Sequence, residues 1–375
     1  MESYLQKLDK QKENYNHNYI DIDERELNYV DVMKFVFAFL IVALHKNPLT
    51  SINLDANFFI VNYIARLAVP FYFIASGYFL FRKTNYKEFD FTVILKYAWR
   101  IYKLYLIWTV IYMYPIIKNQ ILINQNGIIH GILVWIRDFI FSGSYFHLWY
   151  LNATVFAVLL VGISIKKKMK VRNIIILASV FYGIGLFEQA YFGLILPLEK
   201  YTCIWSFFEV LQKIIVTTRN GLFEGFLFIS LGMLFAYKPI KLKKKKAIGL
   251  FIISMILFFI EVIIIKKLGW FRGKDMYIFL VPTSFLLFHI TLQIELKENS
   301  IYKELRKIGS LIFYLHMWGA IVVGKIMNCI GVAIGMEFNN SLIRYIIIVL
   351  LTSCMAVSIR YLSNKKRFRL LNRIY

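Results

Sequence analysis

Apolar stretches of about twenty residues, the length a helix needs to cross a bilayer, recur along almost the whole chain, separated by short basic clusters. Nothing else in the sequence constrains the fold as strongly. A lipid-spanning backbone must satisfy its own hydrogen bonds, which leaves helices and closed barrels. Barrel strands would read as ~10-residue alternating segments, and none is seen. The expected fold is therefore all-α, a polytopic integral membrane protein with about ten transmembrane helices in one bundle. The spans fall at 29–46, 57–81, 98–117, 147–165, 173–193, 220–237, 247–265, 275–295, 308–326 and 342–362. With 59% hydrophobic residues and a mean hydropathy of +0.59, a water-soluble fold could not hide its apolar surface.

The net charge of +23 raises the question of nucleic acid. Its basic residues do not form one surface, however. They sit in clusters between spans, IKKKMKVR from Ile165, KPIKLKKKK from Lys238 and NKKRFR from Asn364, the pattern that retains loops in the cytoplasm. No nucleic-acid partner is expected; the partner these runs imply is an anionic bilayer surface. Lys and Arg concentrate in alternate connections (82–96, 166–172, 238–246, 297–307 and 365–373), so both termini are expected on the cytoplasmic side of a plasma membrane. The polar segment 1–27 lacks the apolar core of a signal peptide and reads as a cytoplasmic tail, 28–364 as the membrane domain, and 365–375 as a basic tail. Two connections carry apolar runs too short to span, from Gly127 and Tyr201, and read as interfacial or re-entrant helices roofing the bundle. Cys203, Cys329 and Cys354 have no metal-ligand spacing; they read as apolar packing residues, and no metal site is expected.

The first span, YVDVMKFVFAFLIVALH, places Asp31, Lys34 and His45 in hydrocarbon, where ionisable groups are costly and usually face a partner or a wet cavity. Lys34 and His45 are eleven residues apart, so they share one helical face, ~16 Å apart along the axis. Asp31, one turn before Lys34, can pair with it. A bland alternative has Lys34 snorkelling to the headgroups and His45 ending the helix. Lys96, Arg100 and Lys103 fall on one face of the third span, and with Arg82 and Lys83 they offer a cytoplasmic cradle for phosphates, although positive-inside topology explains the charges equally well. Pro70, Ser76 and Gly77 allow the second span to bend or pack closely. His147 and Trp149 open the fourth span at the level of His45, and His316 lies in the ninth. His289 is expected to be a satisfied core histidine. The embedded acids Glu188, Glu224 and Glu261 need partners, with Arg219 a candidate for Glu224.

Six segments, in order, resemble acyltransferase family 3, the bacterial membrane acyltransferases of sugars and other envelope molecules. They are Lys34 to His45 after Asp31, VPFYFIASGYFL, RIYKLYLIW, FHLWYL, RNGLFEGFLFISLGM and FYLHMW. The family usually has Arg at the Lys34 position, so here the charge is kept and the bidentate fork is not. TTRNGLFEGFLFISLGM and YFHLWYL are also similar to the membrane half of membrane-bound serine racemases, and no racemase domain is expected in these 375 residues. The resemblance implies an acyl-CoA donor, commonly acetyl-CoA, and a hydroxyl acceptor on an envelope saccharide or other small molecule. On that reading His45 is the general base, or carries the acyl group as a covalent relay, with Asp31 and Lys34 supporting it. Lys34, Arg82, Arg100 and Lys103 hold the donor phosphates, and Ser76, His147, Trp149 and His316 line the acceptor path. A transporter or flippase of a small solute or saccharide is the main alternative, and a non-catalytic sensor a third.

Overall fold

The computed structural model describes residues 27–238, 240–334 and 340–375, so the expected tail at 1–27 lies almost wholly outside the described residues. The helices are α1 (Asn28–Lys46), α2 (Leu54–Phe81), α3 (Phe91–Ile111), α4 (Ile128–Phe141), α5 (Trp149–Lys166) and α6 (Val171–Leu186). They continue as α7 (Thr202–Ile215), α8 (Gly221–Tyr237), α9 (Lys244–Leu268), α10 (Leu280–Leu292), α11 (Ile301–Ile334) and α12 (Ser341–Ser363). No strand occurs among the described residues.

Six of these, α1, α2, α5, α9, α11 and α12, are long and apolar enough to cross a membrane, and α6, α8 and α10 are shorter apolar helices. The 21-residue α3 carries Lys96, Arg100 and Lys103 within an otherwise apolar run. Together these ten form the expected multi-pass bundle. Several bounds differ from the sequence reading. Asp90 caps α3 by accepting from Thr92 N at 2.8 Å, so that helix starts at Phe91 rather than 98. With 13 residues, α10 covers only ~20 Å of the ~30 Å core. Non-helical backbone before it, with Met276 and Tyr277 fully buried, makes up the depth inside protein rather than lipid.

Contacts fix which helix ends lie together. Asp31 pairs with Arg306 at 3.1 Å, joining the starts of α1 and α11. Ser51 and Ser341 exchange hydrogen bonds at the opposite end. We call these the Asn28 end and the His45 end. At the His45 end α4 and α7 lie as short roofing helices, and Arg137 reaches from one to the carbonyl of Lys213 in the other at 3.2 Å.

Two buried clusters form the core. The larger joins α1, α2, the start of α3, α5, α6, α8, one face of α9 and α10, and the smaller joins α1 with the later part of α3, the start of α5, α11 and α12. The tightest crossing is α2 on α8. A Cβ on Gly77 would meet the Ile229 carbonyl oxygen at 2.4 Å, and one on Gly232 would meet that of Ile74 at 2.2 Å. Glycine is required on both sides for backbones to approach this closely. By contrast α9 and α12 bury little, and their exposed Ile and Leu side chains form the lipid-facing belt.

Two expectations are corrected here. All three cysteines are free and sit on exposed faces rather than packing in the core. The segment 365–375 is docked instead of forming a tail. A 3-10 turn at Lys366–Arg373 brings Ile374 to Trp108, whose indole N–H donates to its carbonyl at 2.7 Å, and Tyr375 Oη to Ser363 at 2.8 Å.

Candidate active site

Three histidines from distant parts of the sequence meet at the His45 end. The ring centroids of His45 and His316 are 5.1 Å apart, and those of His316 and His147 are 4.9 Å apart. His45 comes from the last turn of α1, and α11 supplies His316. His147 precedes α5 on a loop held by Tyr105 and Thr109 of α3, which bond the backbone N–H and hydroxyl of Ser144 at 2.8 and 2.6 Å. His316 Nδ1 lies 2.7 Å from the Phe313 carbonyl, which only an N–H can satisfy, so its proton sits on Nδ1 and its Nε2 carries the lone pair. That Nε2, like both ring nitrogens of His147, is buried with no hydrogen-bond partner among the described residues. Buried polar atoms left unpaired in this way are costly and commonly mark a ligand or water position. Among the described residues no group of three or more His, Cys, Asp or Glu is arranged to hold a metal ion.

Beside the histidines lies an ionic network that the sequence reading did not assemble. Asp275, between α9 and α10, takes a close ion pair from Arg66 of α2 and a second at 3.8 Å from Arg219. Two guanidinium groups thus share one largely buried carboxylate. Arg219 also stacks over Trp149, 4.9 Å from its ring, and both arginines lie within electrostatic reach of His45. The expected Arg219 to Glu224 pairing is replaced by Arg219 to Asp275; Glu224 Oε2 is buried with no partner among the described residues. π-helical turns at Ile60–Ile64 and Gly221–Gly225 precede Arg66 and contain Glu224. Such turns often occur at functional positions. An intramembrane arginine was the available signal for Arg66.

The two other embedded acids and His289 are satisfied. Glu261 accepts from Tyr191 Oη and the backbone N–H groups of Ile278 and Phe279 at 2.6 to 2.9 Å. Glu188 accepts from Thr217 and Thr218. His289 Nε2 is 3.0 Å from the Leu242 carbonyl, the structural role expected of it.

Toward the Asn28 end, Lys34 is turned into the bundle, its Nζ 4.6 Å from the Phe79 ring centre. Asp31 is shared: its buried carboxylate is held by Arg306, a partner 275 residues away, and it also lies within electrostatic reach of Lys34. Between Lys34 and the histidines runs a ladder of aromatic and hydroxyl groups. Tyr72 Oη donates to the Lys34 carbonyl at 2.5 Å, Ser76 Oγ is 3.1 Å from Tyr150 Oη, and Tyr150 packs on Phe313, which touches His147. Of the residues expected to bind phosphate, Arg82 and Lys83 line a cavity that the others, Lys34, Lys96, Arg100 and Lys103, do not. Arg100 and Lys103 are exposed on α3, stacked on Tyr97 and Trp99.

Residues 27–295 match the family model described as an acyltransferase domain, that of acyltransferase family 3. The chain belongs to acyltransferase family 3. The match covers α1 to α10, and so includes Lys34, His45, Arg66, His147 and Asp275, whereas His316 lies beyond it. Curated relatives include two amino-acid racemases of Enterococcus faecalis. One is 26% identical over 88% of this chain and 44% of its own length, the other 28% identical over 91% and 46%. A serine/alanine racemase of Enterococcus gallinarum is 26% identical over 86% of this chain and 44% of its own. The chain thus spans less than half the length of these relatives. No solved structure matches.

Proposed function

We propose that this family member moves an acyl group, commonly acetyl, from acyl-CoA to a hydroxyl of an envelope saccharide or other small acceptor. The observation that carries the reading is the joining of His45 to His316 and His147 on the same α1 that holds Lys34 at its other end. On this reading the Asn28 end, with both described chain ends, faces the cytoplasm of a plasma membrane. Acyl-CoA approaches from there, its phosphates at Lys34, Arg100 and Lys103. Its pantetheine arm follows the Tyr72, Ser76 and Tyr150 ladder, over a Lys34 to His45 separation of ~16 Å.

The acceptor enters from the His45 end, beside Trp149 and Arg219. His45 takes the acceptor hydroxyl proton as the oxygen attacks the thioester carbonyl. The C–S bond then breaks, and the sulfur leaves with the proton returned by the imidazolium, giving ester and free CoA. A neutral His316 next to His45 suits this cycle, because a fixed positive charge there would oppose formation of the imidazolium. Lys34 serves by charge alone, without a guanidinium fork.

The test is acceptor-dependent CoA release in proteoliposomes. His45→Ala should lower it by about 10²–10⁴-fold in protein that still inserts and purifies normally; full activity would remove the base. Lys34→Ala should raise the KM for acyl-CoA and Lys34→Arg should not.

Transport of a small solute is the second reading, favoured by one observation: Arg66, Arg219 and Asp275 meet where α2 and α8 depart from α-helical geometry, as at transporter sites. Solute movement without CoA release would select it.

A further inference from the structure

A cavity of about 1430 Å³ opens at the Asn28 end, lined in part by Leu27 and the end of α2 and not by Lys34. Three connections converge on it. The turn after α2 brings Arg82, Lys83 and Lys87, the start of α6 brings Lys170 and Arg172, and the end of α8 brings Lys238. No Asp or Glu is among its described lining residues.

Positive loops alone do not produce this arrangement. Lys166, Lys167 and Lys168 share a loop with Lys170, and Lys244, Lys245 and Lys246 begin α9, yet none of the six lines the cavity. The walls are fixed before any ligand arrives. Tyr86 Oη donates to the Met169 carbonyl at 2.6 Å, Tyr237 Oη is 2.5 Å from Thr84 Oγ1, and the two tyrosine rings meet edge to face at 5.2 Å. Helix α6 starts at the rim with no side chain capping its first N–H groups, which adds the positive end of a 16-residue helix to the six cations. The floor is closed. Tyr78, Phe81 and Phe235 are buried, and behind them α2 and α8 touch at Gly77 and Gly232. Lys34, His45, Arg100 and Lys103 are absent from its described lining.

We propose that the cavity is a binding site for a phosphate-bearing ligand with more than one negative charge, distinct from the donor site at Lys34. Two sources share this chemistry, a soluble pyrophosphate or nucleotide and the headgroup of an anionic phospholipid. Cations at several points around the rim suit two phosphates better than one, and the tyrosine walls suit an apolar or planar remainder.

The test uses the full chain in phosphatidylcholine nanodiscs. One arm titrates inorganic pyrophosphate by calorimetry. The other measures cardiolipin retained on the protein by native mass spectrometry after reconstitution in mixed lipid. The cavity variant is Lys87→Gln/Lys170→Gln/Arg172→Gln, and the control is Lys244→Gln/Lys245→Gln/Lys246→Gln, with the same loss of charge on exposed residues outside the cavity. The expected result is a loss of about tenfold or more in affinity or retention, some 1.4 kcal/mol, in the cavity variant alone. Selective loss of pyrophosphate identifies a soluble ligand, and selective loss of cardiolipin alone identifies a headgroup. If the parent protein binds neither probe, or if both variants lose binding equally, the proposal is overturned.

Discussion

Replacing Asp275 with Asn removes one charge and leaves two. The ion pair with Arg66 is nearly dry, with side chains 15% and 18% exposed, while Arg219 is 30% exposed and sits farther off at 3.8 Å. Two unit charges ~4 Å apart attract by about 4 kcal/mol at an effective dielectric of ~20. Breaking a buried pair by removing one partner generally costs about 3–5 kcal/mol. The Asn amide retains one acceptor oxygen, and Arg219 can turn toward water, so the expected loss is about 3 kcal/mol, nearly all of it from Arg66. The assay is denaturant unfolding of protein in mixed micelles, read as the free energy extrapolated to zero denaturant.

A double variant gives an independent check. Adding Arg66→Met to Asp275→Asn should recover stability relative to the single variant, because no uncompensated guanidinium then remains at that position. A single variant within about 0.5 kcal/mol of the parent, or a double variant no more stable than the single one, would refute the picture of a dry, coupled network.

Other consequences are simpler to test. Gly232→Leu should separate α2 from α8 and cost at least 1–3 kcal/mol, seen as loss of monodisperse protein, whereas Gly249→Leu, at a position with open space, should be tolerated. Glu261→Leu strands two backbone N–H groups and the Tyr191 hydroxyl; at about 1–3 kcal/mol for each unsatisfied buried group, it should destabilise strongly, with Glu261→Gln much milder. Trp108→Phe keeps the stack on Tyr314 but removes the donor to the Ile374 carbonyl. It should cost about 1 kcal/mol and speed proteolysis of residues 366–375 with little change in melting of the bundle.

What the sequence made legible was whatever depends on local spacing. The ten membrane helices could be read because apolar length is a property of contiguous residues. The shared face of Lys34 and His45 required only the helical repeat. Partnerships across the bundle could not be read this way. Asp31 is within electrostatic reach of its local candidate Lys34, but the ion pair that holds its carboxylate comes from Arg306, 275 residues away. Arg219 had Glu224 five residues away, yet Asp275 takes it, together with an arginine 209 residues distant. Arg82 was grouped with Lys34 because both sit near one end of the bundle, but the cavity lining divides them. The basic composition of 365–375 looked solvated, and only the contacts of Ile374 and Tyr375 show it docked.

The glycine contact between α2 and α8 has a mechanical consequence. With main chain against main chain at Gly77 and Gly232, neither helix can roll about its own axis without collision, so this half of the molecule behaves as a fixed wall. On the proposed function, breathing that admits an acyl thioester beside Lys34 would come from the opposite flank, where α11 and α12 pack in the smaller cluster with parts of α1, α3 and α5. Stiffening that flank with cross-links would slow turnover, whereas the same treatment across the glycine contact would leave it untouched.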